Sequence, residues 1–368
     1  MLDRNAVVRK LNDLVPNIVV NINQELKVLK DCLTWLNDNN KNVDELFKIG
    51  EVYWADKIDQ AVKLKTWEKP YHIVGVDGSQ IYPDRHRGIN CFLLNIGFAE
   101  FSYADQSTVN LQSSPSIYFE NDVDFELSTE NINYLRTGQE FIKGFEHCHK
   151  VFKKEMTDPF VFLFDGPLYF WYLDNKPGEI KNNFLSTYIS SLDSFFSQRI
   201  PILGFLSAPK NKEIINLLKI GLSKKIIDLG YECTTEFQFI TDADFISLFL
   251  RSYSRTPIFS LNSSLAYLYP AHLRPSFCYI NFDTEIARIE FPFWLSQDPD
   301  FDKLLSILVD QCNKGNGYPI ALSEAHEQAV VKGYDRDYFY AALHKIGFEN
   351  NHLLKFSQKS TKKKLVGV

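Results

Sequence analysis

The chain has 368 residues, room for one large domain or two ordinary ones. Hydrophobic residues make up 45% and charged residues 23%, the balance of a soluble globular protein, and 30 Phe promise a large aromatic core. The formal net charge of -6 excludes a chain that is basic throughout, so nucleic acid has to be met by a local patch or through a basic partner.

Residues 1–66 read as helical: Val7, Leu11, Leu14, Val15 and Ile18 recur at helical spacing, as do Leu26, Leu29, Leu33 and Leu36. The polar run Asn37–Asn42 separates them from residues 43–61, and the region offers a cover for a sheet or a subunit contact. A strand over 72–76 follows and ends at Asp77-Gly78; residues 81–88 form a polar turn carrying Arg85, His86 and Arg87. Residues 91–98 and 100–103 read as antiparallel strands joined near Gly97, and 104–129 as an irregular surface excursion. A helix over 130–156 sets Tyr134, Phe141, Phe145, Cys148 and Phe152 on one face. The apolar strand 160–165 ends at Asp165-Gly166; a helix over 183–198, a strand over 201–206 and a helix over 210–218 come next. Beyond them lie a short helix at 245–252, a hairpin of 276–282 and 286–291, helices over 300–312, 319–332 and 335–346, and a fraying tail from Lys355 with five lysines. The order matches a ribonuclease-H-like mixed sheet and is compatible with other α/β sheets.

The six cysteines are scattered without a Cys-x-x-Cys, which excludes a zinc ribbon or a dense disulfide framework and implies a reduced, cytoplasmic compartment. The N-terminus lacks a signal-peptide core, and no apolar run is long enough to span a membrane.

Candidate chemistry starts from the two strands that each deliver an Asp followed by Gly, Asp77 and Asp165. Ligands of open α/β sheets lie outside the carboxyl ends of strands, and carboxylate oxygens there suit Mg2+ or Mn2+. Asp-Gly is also an ordinary turn dipeptide. A third carboxylate is expected from the intervening helix. Glu140 and Glu146 flank its aromatic stripe on opposite sides, and periodicity leaves both open; Arg136 stands one turn before Glu140. His147 and His149, two apart, point in different directions. His326, read as early on a helix after Gly317-Tyr318-Pro319, can ligate a metal, move a proton, or be structural. Arg288 and Glu290 share one face of a strand and either pair with each other or face the site. Lys210, just past a strand end, is placed to touch a phosphate. A P-loop, a Gly-x-Ser-x-Gly elbow and a His-Glu-x-x-His helix are all absent.

Taken in order, these stretches resemble the NurA nuclease family: Val76-Asp77-Gly78-Ser79, Arg136 through Glu140, Leu163-Phe164-Asp165-Gly166-Pro167-Leu168, Gly204-Phe205-Leu206-Ser207, Ala287-Arg288-Ile289-Glu290-Phe291-Pro292-Phe293-Trp294, and Gly317-Tyr318-Pro319 with Glu324-Ala325-His326. The resemblance implies an α/β fold: a ribonuclease-H-like mixed sheet flanked by helices, with helical N-terminal and C-terminal additions. Its domain plan is a helical N-terminal region (1–66), a nuclease domain (67–350) and a basic tail (351–368). It implies a metal-dependent DNA nuclease, a single-strand endonuclease and 5′-to-3′ exonuclease of DNA end processing and repair. The cofactor would be Mn2+ or Mg2+, and the assembly a homodimer docked on a HerA-type hexameric ATPase in the cytoplasm.

By position, Asp77 and Asp165 match the family's strand-end metal carboxylates. Glu140 matches its helix glutamate, although the long stretch up to Asp165 keeps Glu146 open. His326 matches the catalytic-site histidine, with Tyr318 beside it in the motif, and Lys210 and Arg288 are the expected nucleic-acid contacts. The chain departs from the family at Pro167, where Ser is more usual, and at Ser207-Ala208-Pro209-Lys210, where an Arg-rich turn is more usual. Two other readings stand beside this one: a non-catalytic subunit docking on the ATPase, and a nuclease acting on RNA.

Overall fold

The computed structural model describes residues 2–39, 43–84, 90–104, 106–152, 157–233 and 236–349. The basic tail and Arg85–Arg87 of the polar turn lie outside the described residues. The chain forms two compact units: Met1–Glu68, Gly166–Trp171 and Leu203–Tyr318 make one, and Lys69–Asp165, Tyr172–Ile202 and Pro319–Val368 the other.

Helix α1 (Arg4–Asp38) starts at Asp3, whose side chain accepts the Ala6 N–H. Only its second half is packed. Val28, Leu29, Cys32 and Leu36 are buried at helical spacing, and the buried Glu25 carboxylate accepts the N–H groups of Gln238, Phe239 and Ile240. The apolar stripe of the first half is exposed. Helix α2 (Val43–Phe47) is short, and the helical expectation for the rest of 43–61 fails. Val52–Trp54 is strand β1, because Val, Tyr and Trp suit a half-buried pleat. Strand β2 (Val62–Lys63) follows.

The second unit opens with β3 (His72–Ile81), β4 (Cys91–Ser102) and β5 (Thr108–Phe119), a continuous antiparallel meander. Two expectations are corrected here. Strand β4 passes straight through Gly97, which serves packing: a Cβ there would stand 2.3 Å from Ala325 O. The supposed excursion contains β5, paired with β4 along all 12 of its residues. Helix α3 (Thr129–Val151) is capped by Ser128, and Lys143 on it donates to the Ser114 and Ser116 hydroxyls of β5. Strand β6 (Phe160–Asp165) runs parallel to β3, and helix α4 (Gly178–Gln198) follows. The order β5-β4-β3-β6, with only the last pair parallel, is a ribonuclease-H-like mixed sheet flanked by helices.

In the first unit, β7 (Ile202–Leu206) leads to α5 (Glu213–Ser223), whose first turn is met by Asp242 accepting the Ile214 and Ile215 N–H groups. Helix α6 (Asp242–Ile246) begins three residues earlier than the 245–252 expectation, at the Thr241–Asp244 capping box. Strands β8 (Ser254–Arg255) and β9 (Phe259–Leu261) precede the expected hairpin, β10 (Pro275–Asn281) and β11 (Ile286–Pro292). The sheet of this unit runs β1-β9-β10-β11-β7, with β8 beside β10 and β2 beside β8. Helices α7 (Phe293–Ser296) and α8 (Phe301–Lys314) complete it. The chain then returns to the second unit as α9 (Ile320–Ala329) and α10 (Gly333–Glu349). No helix among the described residues is long and apolar enough to cross a membrane.

Candidate active site

Strands β3 and β6 are in register from His72 opposite Phe160 to Val76 opposite Phe164. Asp77 and Asp165 are the next residue on each strand, so the register sets the two positions side by side where β6 ends. At Gly166 the chain takes φ +146°, a conformation open to glycine, and leaves the strand direction. Strand β3, by contrast, continues to Ile81, so the turn expected at Asp77-Gly78 does not exist. Gly78 supplies space instead. A Cβ on it would stand 2.3 Å from Glu140 Oε1 and 3.0 Å from Arg136 Cγ. Two side chains one turn apart on α3 therefore lie directly on the strand backbone, and Arg136 Nη1 donates to Gly78 O at 2.7 Å.

Glu140 is 3% exposed. Arg136 Nε lies 3.4 Å from Glu140 Oε1 but is not aligned for a hydrogen bond, and this buried oxygen has no hydrogen-bond partner. Burial pushes the Glu140 carboxyl up to about 7; Arg136 pulls it down, while the charges of Asp77 and Asp165 push it further up. Glu146, the alternative left open by periodicity, is exposed.

His326 reaches the site on α9. This helix packs tightly on the sheet through small residues: Ala321, Ala325 and Ala329 are fully buried, and a Cβ on Gly75 would stand 2.4 Å from Ala321 O. Its last carbonyls are capped from the strands, Asn95 Nδ2 donating to Gln328 O at 3.0 Å and to Ala329 O at 2.8 Å, with Ser79 Oγ donating to Ala329 O as well. His326 thus stands in the last turn of α9, not at its start as the sequence suggested. Its Nδ1 lies 2.7 Å from Asp77 Oδ2, and Asp77 Oδ1 accepts the Gly78 N–H at 2.7 Å. The ring itself is 57% exposed.

As the side chains stand, no group of three or more His, Cys, Asp or Glu among the described residues is disposed to hold one ion. Asp77 is engaged by His326 and by its own backbone. The donor set nevertheless fits a divalent cation: three carboxylates are the oxygen donors that suit Mn2+ or Mg2+. The orphaned Glu140 Oε1 is a buried acceptor that such an ion would satisfy.

The sequence reading missed what surrounds Glu140. Tyr172 feels its charge, Tyr134 stacks on Tyr172 with ring centroids 5.3 Å apart, and Tyr188 OH donates to Tyr134 O at 2.7 Å. No spacing pointed to Tyr172; only the fold brings it there. A cleft of about 880 Å3 lies near the end of β3, its walls including Gln80, Tyr82, Lys332 and Arg336.

The other expected residues belong to the first unit. Lys210 is exposed beyond β7, and the Tyr318 ring meets Phe205 edge-on at 5.4 Å. The nucleic-acid contact expected of Arg288 is corrected. Its side chain is 0% exposed, Nε donates to Glu290 Oε1 at 2.7 Å and Nη1 to Glu213 Oε2 at 3.2 Å. Of the two alternatives left by the sequence, pairing with Glu290 is the one realised.

The NurA domain model matches residues 71–331. The chain belongs to the NurA family. It is therefore a nuclease by family, a hydrolase of nucleic acid. Among solved structures it is similar to NurA with manganese (12% identity, 87% of this chain and 97% of that one, TM-score 0.41) and to NurA bound to dAMP and manganese (11%, 94% and 98%, 0.42). It is also similar to Ciona intestinalis endonuclease V in complex with a 23mer DNA containing an inosine (10%, 83% and 98%, 0.31). No curated protein matches the chain.

Proposed function

We propose that this NurA-family chain is a metal-dependent DNA nuclease, acting as a single-strand endonuclease and a 5′-to-3′ exonuclease in DNA end processing and repair. The observation that carries the metal site is the buried, unpartnered Oε1 of Glu140 at the junction of the two Asp-bearing strands. Asp77, Glu140 and Asp165, with His326, would hold one or two Mn2+, the ion crystallised with NurA, or Mg2+. A divalent ion in such a site lowers the pKa of a bound water and stabilises the leaving oxygen of a phosphodiester.

The chain's own residues orient that chemistry. Arg136, tied to Gly78 O, keeps Glu140 pressed against the strand. Asp77 holds His326 by Nδ1, which leaves Nε2 to take or give a proton at the substrate, or lets the ring turn to the ion. Lys210 is the exposed cation proposed to meet a phosphate, and Tyr318 is proposed as a catalytic-site neighbour on its motif position alone.

The deciding assay is purified protein with Mn2+ on end-labelled single-stranded DNA, duplex DNA and RNA. Cleavage of single-stranded DNA, with mononucleotides released from the 5′ end, is expected. RNA cleavage alone makes it a ribonuclease, and no cleavage of any substrate makes it a docking subunit.

We also infer a homodimer that docks on a HerA-type hexameric ATPase. The inference is supported by the first half of α1, where Val8, Leu11, Leu14, Val15 and Val19 are exposed, Leu14 at 59%, along a helix that buries nothing before Glu25. Light scattering at micromolar concentration should give twice the chain mass, and deletion of residues 1–21 should remove the dimer or the docking. A monodisperse monomer of the full chain ends this inference.

A further inference from the structure

Strand β3 does not stop at Asp77. It runs on to Ile81, and its last residues form one wall of the cleft of about 880 Å3. Val331, Lys332, Gly333 and Arg336, the chain just after α9 and the first turn of α10, form another. The two elements that carry Asp77 and His326 therefore continue into the cleft. They are pinned to each other on the way, where Ser79 Oγ donates to Ala329 O. Gln80 is three residues past Asp77, about 10 Å along a strand, the reach of a neighbouring nucleotide. All of these residues belong to the second unit.

The lining says what fits. Ile81, Tyr82, Leu127 and Val331 give the cleft an apolar and aromatic surface, and its volume is that of a small-molecule site. Its charged groups do not favour a phosphate. Among the described residues, Asp84, Glu120 and Glu126 outnumber Lys332 and Arg336, and Arg336 already faces Asp84 at 3.7 Å. An uncharged planar group that donates hydrogen bonds suits this lining. Gln80 asks for the same chemistry. Its Nε2 donates to Tyr82 OH at 2.9 Å, and that hydroxyl donates to Asn133 Oδ1 at 2.7 Å. The amide is thereby turned so that its buried Oε1 has no hydrogen-bond partner. Such an acceptor calls for a donor from outside the chain.

We propose that this cleft is a base-binding subsite: it takes the base of a nucleotide flanking the scissile bond, and Gln80 Oε1 selects bases that present an amino group, cytosine over uracil. The two pyrimidines have the same shape and differ on one edge. Cytosine turns an amino donor to Gln80 Oε1 where uracil turns a carbonyl, which sets acceptor against acceptor. The proposal rests on the reading of the chain as a DNA nuclease whose site includes Asp77.

The test uses labelled single-stranded decamers of deoxycytidine and of deoxyuridine, with fluorescence anisotropy in chelator to read binding. The full chain should bind the deoxycytidine decamer about 10-fold more tightly, within the range of one amide-to-base pairing. Gln80→Leu should lose that preference by weakening the deoxycytidine decamer alone. Leu127→Trp, which fills the cleft, should weaken both decamers to one value. Equal wild-type affinity for the two decamers, or an unchanged preference in folded Gln80→Leu, overturns the subsite and leaves the nuclease reading standing. Binding of neither decamer overturns that reading, and the proposal with it. Should both variants fail to fold, cleavage by the wild-type chain in Mn2+ decides, with one abasic position walked along the deoxycytidine decamer. A cut slowed at one fixed offset from the missing base supports the subsite, and a rate indifferent to its position overturns it.

Discussion

Glu140 and Glu290 lie one in each unit, both buried beside an arginine and both raised above the ordinary carboxylate range by burial. Their acid strength does not tell them apart; their hydrogen-bond accounts do. Glu290 has a backbone or guanidinium N–H on each oxygen and no charged carboxylate shifting it except Glu213. Glu140 has an arginine that is out of hydrogen-bond alignment, an oxygen without a partner, and two aspartates adding to its discomfort. A satisfied buried carboxylate fastens a fold. An unsatisfied one costs about 1–3 kcal/mol and marks a place where a ligand is expected to complete the account.

That contrast is broken most directly at the two aspartates. Asp77→Asn and Asp165→Asn each remove a charge with little change of shape, so cleavage should fall to background while the melting temperature holds. Near-full activity in either variant removes the metal reading. His326→Ala comes next. The ring is 57% exposed and makes its hydrogen bond to Asp77, so its loss should lower cleavage about 10²-fold or more, the range of a positioned acid–base group, with little loss of stability. A structural histidine would do the reverse: a lower melting temperature and normal cleavage per folded molecule. Smaller again is the choice within α3. Glu140→Gln should cost far more activity than Glu146→Gln, which lies on the exposed face and should cost nothing. The opposite ranking would mean that the buried glutamate is merely tolerated.

What the sequence made legible were residues whose role follows from local pattern. Asp165 closes an apolar run, the β10–β11 hairpin alternates around its turn, and the α3 stripe has helical spacing. What it hid depends on the third dimension. Strand β5 is an edge whose apolar Val109, Leu111, Ile117 and Phe119 stay exposed, so its pattern reads as surface. Gly78 and Gly97 look like turn residues, because a sequence does not separate glycine's freedom from its smallness, and here only smallness is used. Glu140 and Glu146 are equivalent on a helical wheel and differ only in which side meets β3. Arg288 was placed on the right face beside Glu290, yet the N–H groups that occupy Glu290 come from residues 168 and 169, more than a hundred positions away.

The subtlest expected effect tests the orphaned oxygen without any substrate. In the folded, metal-free chain burial pushes the Glu140 carboxyl up to about 7, against about 4.5 for an unburied glutamate. Between those values the folded state binds more protons than the unfolded state. Stability should therefore fall as pH rises from about 4.5 to about 7 and level off above, by about 3 kcal/mol for this group at most. Glu140→Gln removes that dependence, so in chelator its stability relative to wild type should grow through the same window and then stay constant. Mn2+ should reverse the ranking at pH 8, since the ion binds the charged carboxylate and stabilises only the chain that can hold it. Denaturant unfolding at pH 5 and pH 8, with chelator and then with Mn2+, measures all four corners. Parallel pH dependence of wild type and variant in chelator would show that Glu140 is as well satisfied as Glu290, and the contrast between the two glutamates would be gone.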